Sequence, residues 1–285
     1  MKWTIGRALA SAVIGVIGLS GPAAAQEMWL GPTHGGSLAL EVQHVRFTDW
    51  GMEDIGYYAT VKQSLGSVAM FLTARLPVWQ RTSLVIELPV ANGRFTVDDG
   101  FGDRATVSDF AIGNPYIGVE GGQGGGNWFG EFGVRAPIMS ETKVASALVG
   151  ISSDLDRMEA FAPDVASVSA FGNFRSGGET GLRLRIRVGP LVDIPTKSGM
   201  GHAEAYAVYG VQAGVASRLV EIAGGLTGRM ILTEEADNRL TDQFVASLHL
   251  NLGRVEPGVD IRVPIDNELK QLVGSVFGLS VRYAF

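Results

Sequence analysis

The chain has 285 residues, of which 18% are charged and 39 are glycine, with 46% hydrophobic content and no cysteine. Charge is scarce and glycine about twice as frequent as in ordinary globular domains, yet the apolar content is too high for a disordered chain. The absence of cysteine excludes disulfides, thiolate metal sites and a cysteine nucleophile. With 23 basic against 29 acidic residues the formal charge is −6, which argues against nucleic acid as a partner.

Residues 1–25 read as a secretory signal: Lys2 and Arg7 open it, Ala8 to Leu19 is apolar, and Ala23, Ala24 and Ala25 supply a cleavage site. The apolar stretch falls short of the roughly 20 residues a spanning helix needs. Cleavage leaves 260 residues with a net charge of −8. Residues 26–36 read as a short periplasmic segment, and 37–285 as the folded unit.

The rest of the chain alternates. Val68, Met70, Leu72, Ala74 and Leu76 alternate with Phe71, Thr73 and Arg75; Leu84, Ile86, Leu88 and Val90 alternate with Glu87 and Pro89; Phe132, Val134, Ala136 and Ile138 alternate with Glu131, Gly133 and Arg135. Leu182, Leu184, Ile186 and Val188 alternate with Arg183, Arg185 and Arg187. Later runs place Glu204, Glu221, Arg229, His249, Asp260 and Arg262 on the polar face, and the chain ends with Phe277, Leu279, Val281, Tyr283 and Phe285 around Arg282. A period of two with one apolar and one polar face, in segments of about 10 residues, is the pattern of a transmembrane β-barrel. The expected strands lie near 37–47, 67–78, 83–92, 109–120, 127–138, 166–174, 180–194, 203–215, 219–231, 242–252, 257–265 and 272–285. The fold class expected is therefore all-β: an antiparallel up-and-down barrel of about twelve strands.

Links alternate short and long along this list, which puts both termini and the short turns on the periplasmic side. Pro115 interrupts the fourth strand and predicts a bulge, and Pro89, Pro137, Pro195 and Pro264 are expected near strand ends. Trp79, Trp128, Tyr283 and Phe285 fall at periplasmic ends and suggest an interfacial girdle. Tyr283 and Phe285 also read as a terminal signal for the barrel-assembly machinery, because a free alternating aromatic strand would be an aggregation edge in a soluble domain.

A charge on the lipid face near the midplane costs roughly 2–4 kcal/mol, so the polar set should line the lumen. That set is Glu41, Arg75, Glu87, Glu131, Arg135, Arg183, Arg185, Arg187, Glu204, Glu221, Arg229, His249, Asp260, Arg262 and Arg282. The triple Arg183, Arg185 and Arg187 predicts either an anion-guiding ladder or an ion-pair network with Glu204 and Glu221. The glycine-rich stretch 121–127 lacks a following Lys-Ser/Thr and a helix, so it reads as a tight turn rather than a phosphate loop. Ser247 and His249 share a strand face about 7 Å apart without an identifiable orienting acid; no catalytic residues, and hence no enzyme, are expected. Asp98, Asp99, Asp103 and Asp109, and likewise Asp154, Asp156, Glu159 and Asp164, lack EF-hand spacing and read as solvated loop charge. No metal and no cofactor are expected. The linker Met139 to Val165 is long enough to fold inward as a plug.

LVIELPV at 84–90, GFGD at 100–103 and FAIGNPYIGVEGG at 110–122 together resemble the outer-membrane barrels of the MetA-type phenol-degradation family, over roughly residues 68–139. The stretch from Asp103 to Asp109 is longer than that family's pattern. The resemblance implies a transporter of hydrophobic or aromatic compounds. The expected function is thus an outer-membrane channel for a small-molecule solute, with outer-membrane lipid and lipopolysaccharide around it. The alternatives are a structural barrel with an ion-paired, plugged lumen and, less favoured, an outer-membrane hydrolase.

Overall fold

The computed structural model describes residues 36–48, 50–51, 60–63, 67–98, 104–122, 127–177, 180–198, 202–233 and 240–285. The stretch expected to be a signal, His34, the GFGD stretch and most of the glycine-rich turn lie outside the described residues.

The strands are β1 (Ser37–Phe47), β2 (Trp50–Gly51), β3 (Thr60–Gln63), β4 (Val68–Trp79), β5 (Thr82–Asp98), β6 (Arg104–Ile112), β7 (Tyr116–Gly121) and β8 (Trp128–Arg135). They continue with β9 (Val165–Ser176), β10 (Gly181–Pro195), β11 (Glu204–Ala216), β12 (Val220–Ile231), β13 (Leu240–Leu250), β14 (Val255–Pro264) and β15 (Val273–Ala284). Each wall strand pairs antiparallel with its sequence neighbour, and β15 pairs with β1 from Ser37↔Ala284 to Phe47↔Val273. With β6 and β7 forming one interrupted strand against β5, the wall is a closed barrel of twelve strands. Closure continues to the last residue, where the Phe285 N–H donates to the Gly36 carbonyl at 3.0 Å and the Gly36 N–H to that of Phe285 at 3.3 Å. The terminal strand that would be an open edge in a sheet therefore has none.

Side-chain burial is inverted relative to a water-soluble protein. Leu72, Ile117, Phe132, Val188, Ile222 and Leu279 are exposed, while Glu41, Arg75, Glu87, Glu131, Arg135, Arg229 and Arg262 are buried. In a closed barrel the outer face meets lipid, and charge there is costly, so the polar alternate residues turn inward. Trp79, Trp128, Tyr283 and Phe285 are exposed at the short-turn end.

The strand bounds differ from the sequence expectation in two places. Strand β5 runs to Asp98, well past 92, so Pro89 lies inside it rather than near its end. The missing N–H is tolerated because Pro89 faces the break at Gly113–Pro115, from which the Gly113 N–H donates to its carbonyl at 2.9 Å. Strand β8 stops at Arg135 instead of continuing to 138. There the chain leaves the wall and folds into the lumen as α1 (Val144–Ser153) and a 3₁₀ turn (Leu155–Ala160), then returns at β9. A second short helix, α2 (Asn267–Leu272), precedes β15.

Candidate functional site

The inserted segment begins and ends at one residue. Asn114, fully buried in the β6–β7 break, accepts through Oδ1 from the N–H groups of Ile138 and Met139, each at 2.9 Å. Its Nδ2 donates to the carbonyls of Glu159 at 2.9 Å, Ala162 at 2.7 Å and Val165 at 3.2 Å. Entry and exit of the segment are thus pinned by one side chain whose donor and acceptor sides both point at backbone. Helix α1 packs on β5, where Gly93 allows the approach: a Cβ there would collide with the Ala145 carbonyl. Asp109 accepts from the N–H groups of Ala145 at 3.1 Å and Ser146 at 2.8 Å and from the Ser146 hydroxyl, so it caps α1 instead of lying in solvent.

The 3₁₀ turn carries its charges across the lumen. Arg157 Nη2 lies 2.5 Å from Glu41 Oε2 on β1, Nη1 2.7 Å from Glu87 Oε2 on β5, and Nε 2.6 Å from Asp154 Oδ2. Its guanidinium also stacks 3.8 Å above the Phe71 ring on β4. Asp154 meets Arg262 of β14 at 2.6 Å. Glu159 meets Arg229 of β12 at 3.1 Å and Arg135 of β8 at 3.4 Å, and Arg135 closes back on Glu87 at 2.7 Å. Partners on β1, β5, β8, β12 and β14 surround the turn, which therefore sits inside the barrel. A cavity of about 30 Å³ beside it, lined among others by Tyr116, Asp156, Arg187 and Tyr209, has room for about two waters.

This overturns the reading of Asp154 and Glu159 as solvated loop charge: both are buried and ion-paired. Asp156 lines the lumen cavity rather than a loop surface. Asp164 pairs with Lys197 at 2.8 Å at the long-loop end. Hydrogen bonds from Lys197 to Asp164 and Glu141 hold its ammonium above the usual lysine range. Asp98, Asp99 and Asp103 contribute no described side chain. Among the described residues no group of three acidic or histidine side chains is arranged to hold a metal.

The arginine triple is ion-paired, with partners only partly as expected. Arg183 and Arg185 both meet Glu221, the latter at 2.5 Å, while Arg187 meets Glu131 at 3.2 Å and stacks 3.8 Å from Phe171. Glu131 also accepts from the Tyr116 hydroxyl at 2.8 Å. Glu204 does not join the triple; it accepts from the Tyr206 hydroxyl on the same strand. Arg75 meets Glu120 at 3.1 Å, Arg282 meets Glu256, and Arg262 also meets Asp260 at 3.1 Å. Ser247 Oγ and His249 Nε2 are buried without a hydrogen-bond partner, so the pair is not joined as a nucleophile and base.

Arg157 and Asn114 were not singled out from the sequence. The available signals were an arginine set among acidic residues in a long linker, and an Asn-Pro pair in mid-strand.

No family model matches the sequence, and no curated protein matches it. Solved structures share the fold at low identity. The COG4313 outer membrane channel from Pseudomonas putida F1 superposes with a TM-score of 0.56 at 11% identity, covering 92% of this chain and 99% of that one. The translocator domain of the autotransporter NalP from Neisseria meningitidis gives 0.52 at 12%, covering 99% and 95%. The NanC porin gives 0.52 at 8%, covering 87% and 100%. The chain thus shares the fold of outer-membrane β-barrels.

Proposed function

We propose that the protein is an outer-membrane channel for small molecules whose lumen is closed at rest by the segment 137–164, with the short-turn end in the periplasm. The observation that carries this reading is the way the segment is held. Its 3₁₀ turn is tied to the wall by ion pairs, which water can replace, in a lumen lined largely by charge, while α1 and Phe161 pack on an apolar wall patch of Ala69, Phe71, Ala91, Phe95 and Ala111. On release the ion-paired turn exchanges its partners for water, and the apolar surface exposed is confined to the patch under α1 and Phe161. The resemblance of 84–90 and 110–122 to the phenol-degradation family supports hydrophobic or aromatic compounds as solutes.

The second reading, a structural barrel with a permanent plug, is favoured by the same network if it never opens. Planar-bilayer conductance and uptake of aromatic compounds by a deletion strain separate the two. Discrete conductance steps in the wild type, with slowed uptake on deletion, support the channel. A silent wild type, together with silent variants in which the segment has been released, refutes it and leaves the plugged barrel.

A further inference from the structure

Toward the short-turn end, below the inserted segment, the lumen changes character. Around the 3₁₀ turn carboxylates outnumber guanidiniums, because Asp154, Asp156 and Glu159 add to those of the wall. Nearer the mouth guanidiniums gather. Arg75 on β4, Arg175 on β9, Arg183 and Arg185 on β10 and Arg282 on β15 share this end of the lumen. Glu120 pairs with Arg75, Glu221 with Arg183 and Arg185, and Glu256 with Arg282, and Arg175 lies directly across the strand pair from Arg185. Arg75, Arg175, Arg185 and Arg282 lie close enough to repel one another electrostatically.

Two further observations point to a ligand. Arg75 is 97% buried, yet its Nη2 has no hydrogen-bond partner, and neither has the buried Nε of Arg282. The group is also reachable from the mouth: the side chains of Arg183, Arg185 and Arg187 are 27%, 13% and 7% exposed, a steady fall with depth. Crowded guanidiniums and idle donors in a partly dehydrated space are costly until an anion arrives. The guanidinium fork matches a carboxylate with two parallel hydrogen bonds. Phe129, whose ring lies 4.5 Å below the Arg175 guanidinium, puts an aromatic surface in the same layer.

We infer that this end of the lumen is a binding site for a small organic carboxylate. The inference deepens the channel reading and rests on it only for the claim that the bound anion is the transported solute. The test is isothermal titration of the purified, detergent-folded barrel with benzoate and with its uncharged counterpart benzyl alcohol, alongside planar-bilayer reversal potentials. Heat-modifiable gel mobility establishes that each variant is folded. Benzoate should bind saturably and benzyl alcohol should not. Arg282→Gln should weaken benzoate binding by about tenfold to a hundredfold, the worth of one charge-assisted bond, whereas Glu221→Gln, which removes the carboxylate charge that Arg183 and Arg185 share, should tighten it. Absence of saturable benzoate binding, equal affinity across the wild type and both variants, or equal binding of benzyl alcohol would each overturn the site. Benzoate binding by a barrel that never conducts leaves the site standing and removes the channel. Conductance without benzoate binding does the reverse.

Discussion

Replacing Arg157 with methionine should loosen the inserted segment in the lumen while leaving the barrel wall intact. The side chain is buried and ion-paired to Glu41, Glu87 and Asp154, but these carboxylates depend on it unequally. Glu87 keeps Arg135, and Asp154 keeps Arg262. Glu41, 3% exposed on the wall, loses its ion pair. Leaving one buried charge uncompensated costs about 3–5 kcal/mol, and each 1.4 kcal/mol is a factor of ten in an equilibrium. The ratio of closed to open lumen should therefore fall by about two to three and a half powers of ten. None of the wall's ladder hydrogen bonds involves the 3₁₀ turn, so the barrel should keep its heat-modifiable mobility. Single-channel recording measures the open fraction directly. The double variant Arg157→Met/Glu41→Gln removes the stranded charge and should recover much of the closed state, with methionine seated on Phe71 where the guanidinium was. An open fraction that stays at the wild-type value in the folded single variant, or rises equally in the double variant, refutes the argument.

Asn114→Ala removes the side-chain bonds that pin both ends of the segment, each worth about 1 kcal/mol net; trypsin should then cut after Arg157 in the folded barrel, and continued protection there would count against the clamp. Gly93→Val drives a side chain into the Ala145 backbone and should raise amide exchange across Val144–Ser153 while the wall strands stay protected; unchanged exchange would mean that the close approach is not needed. Deleting Phe285 removes the paired bonds to Gly36 and the ring stacked 6.4 Å from Tyr283, and should lower the yield of assembled barrel. Equal yield would show that the terminal aromatic is dispensable for insertion.

The sequence by itself determined the wall. Alternation has a period of two and each strand obeys it locally, so Leu182 to Val188 declare an apolar outer face and Arg183, Arg185 and Arg187 an inner one without reference to any other strand. Short and long links then order the strands, and a terminal strand such as β15 that would be hazardous unpaired implies closure onto β1. The same local rule does not reach the inserted segment. Asp154, Arg157 and Glu159 have no strand period, and a charged linker that meets water looks like one that meets charges on five different strands. Which it is depends on partners 24 to 116 positions away in sequence, brought near only when the barrel closes. Asn114 is similar: its neighbour Pro115 reveals a break in the strand, but only the folded lumen supplies the five backbone groups it holds. The pairing of Arg187 with Glu131, in place of Glu204, was likewise decided by geometry across the barrel, because inward side chains meet by depth and not by order along the chain.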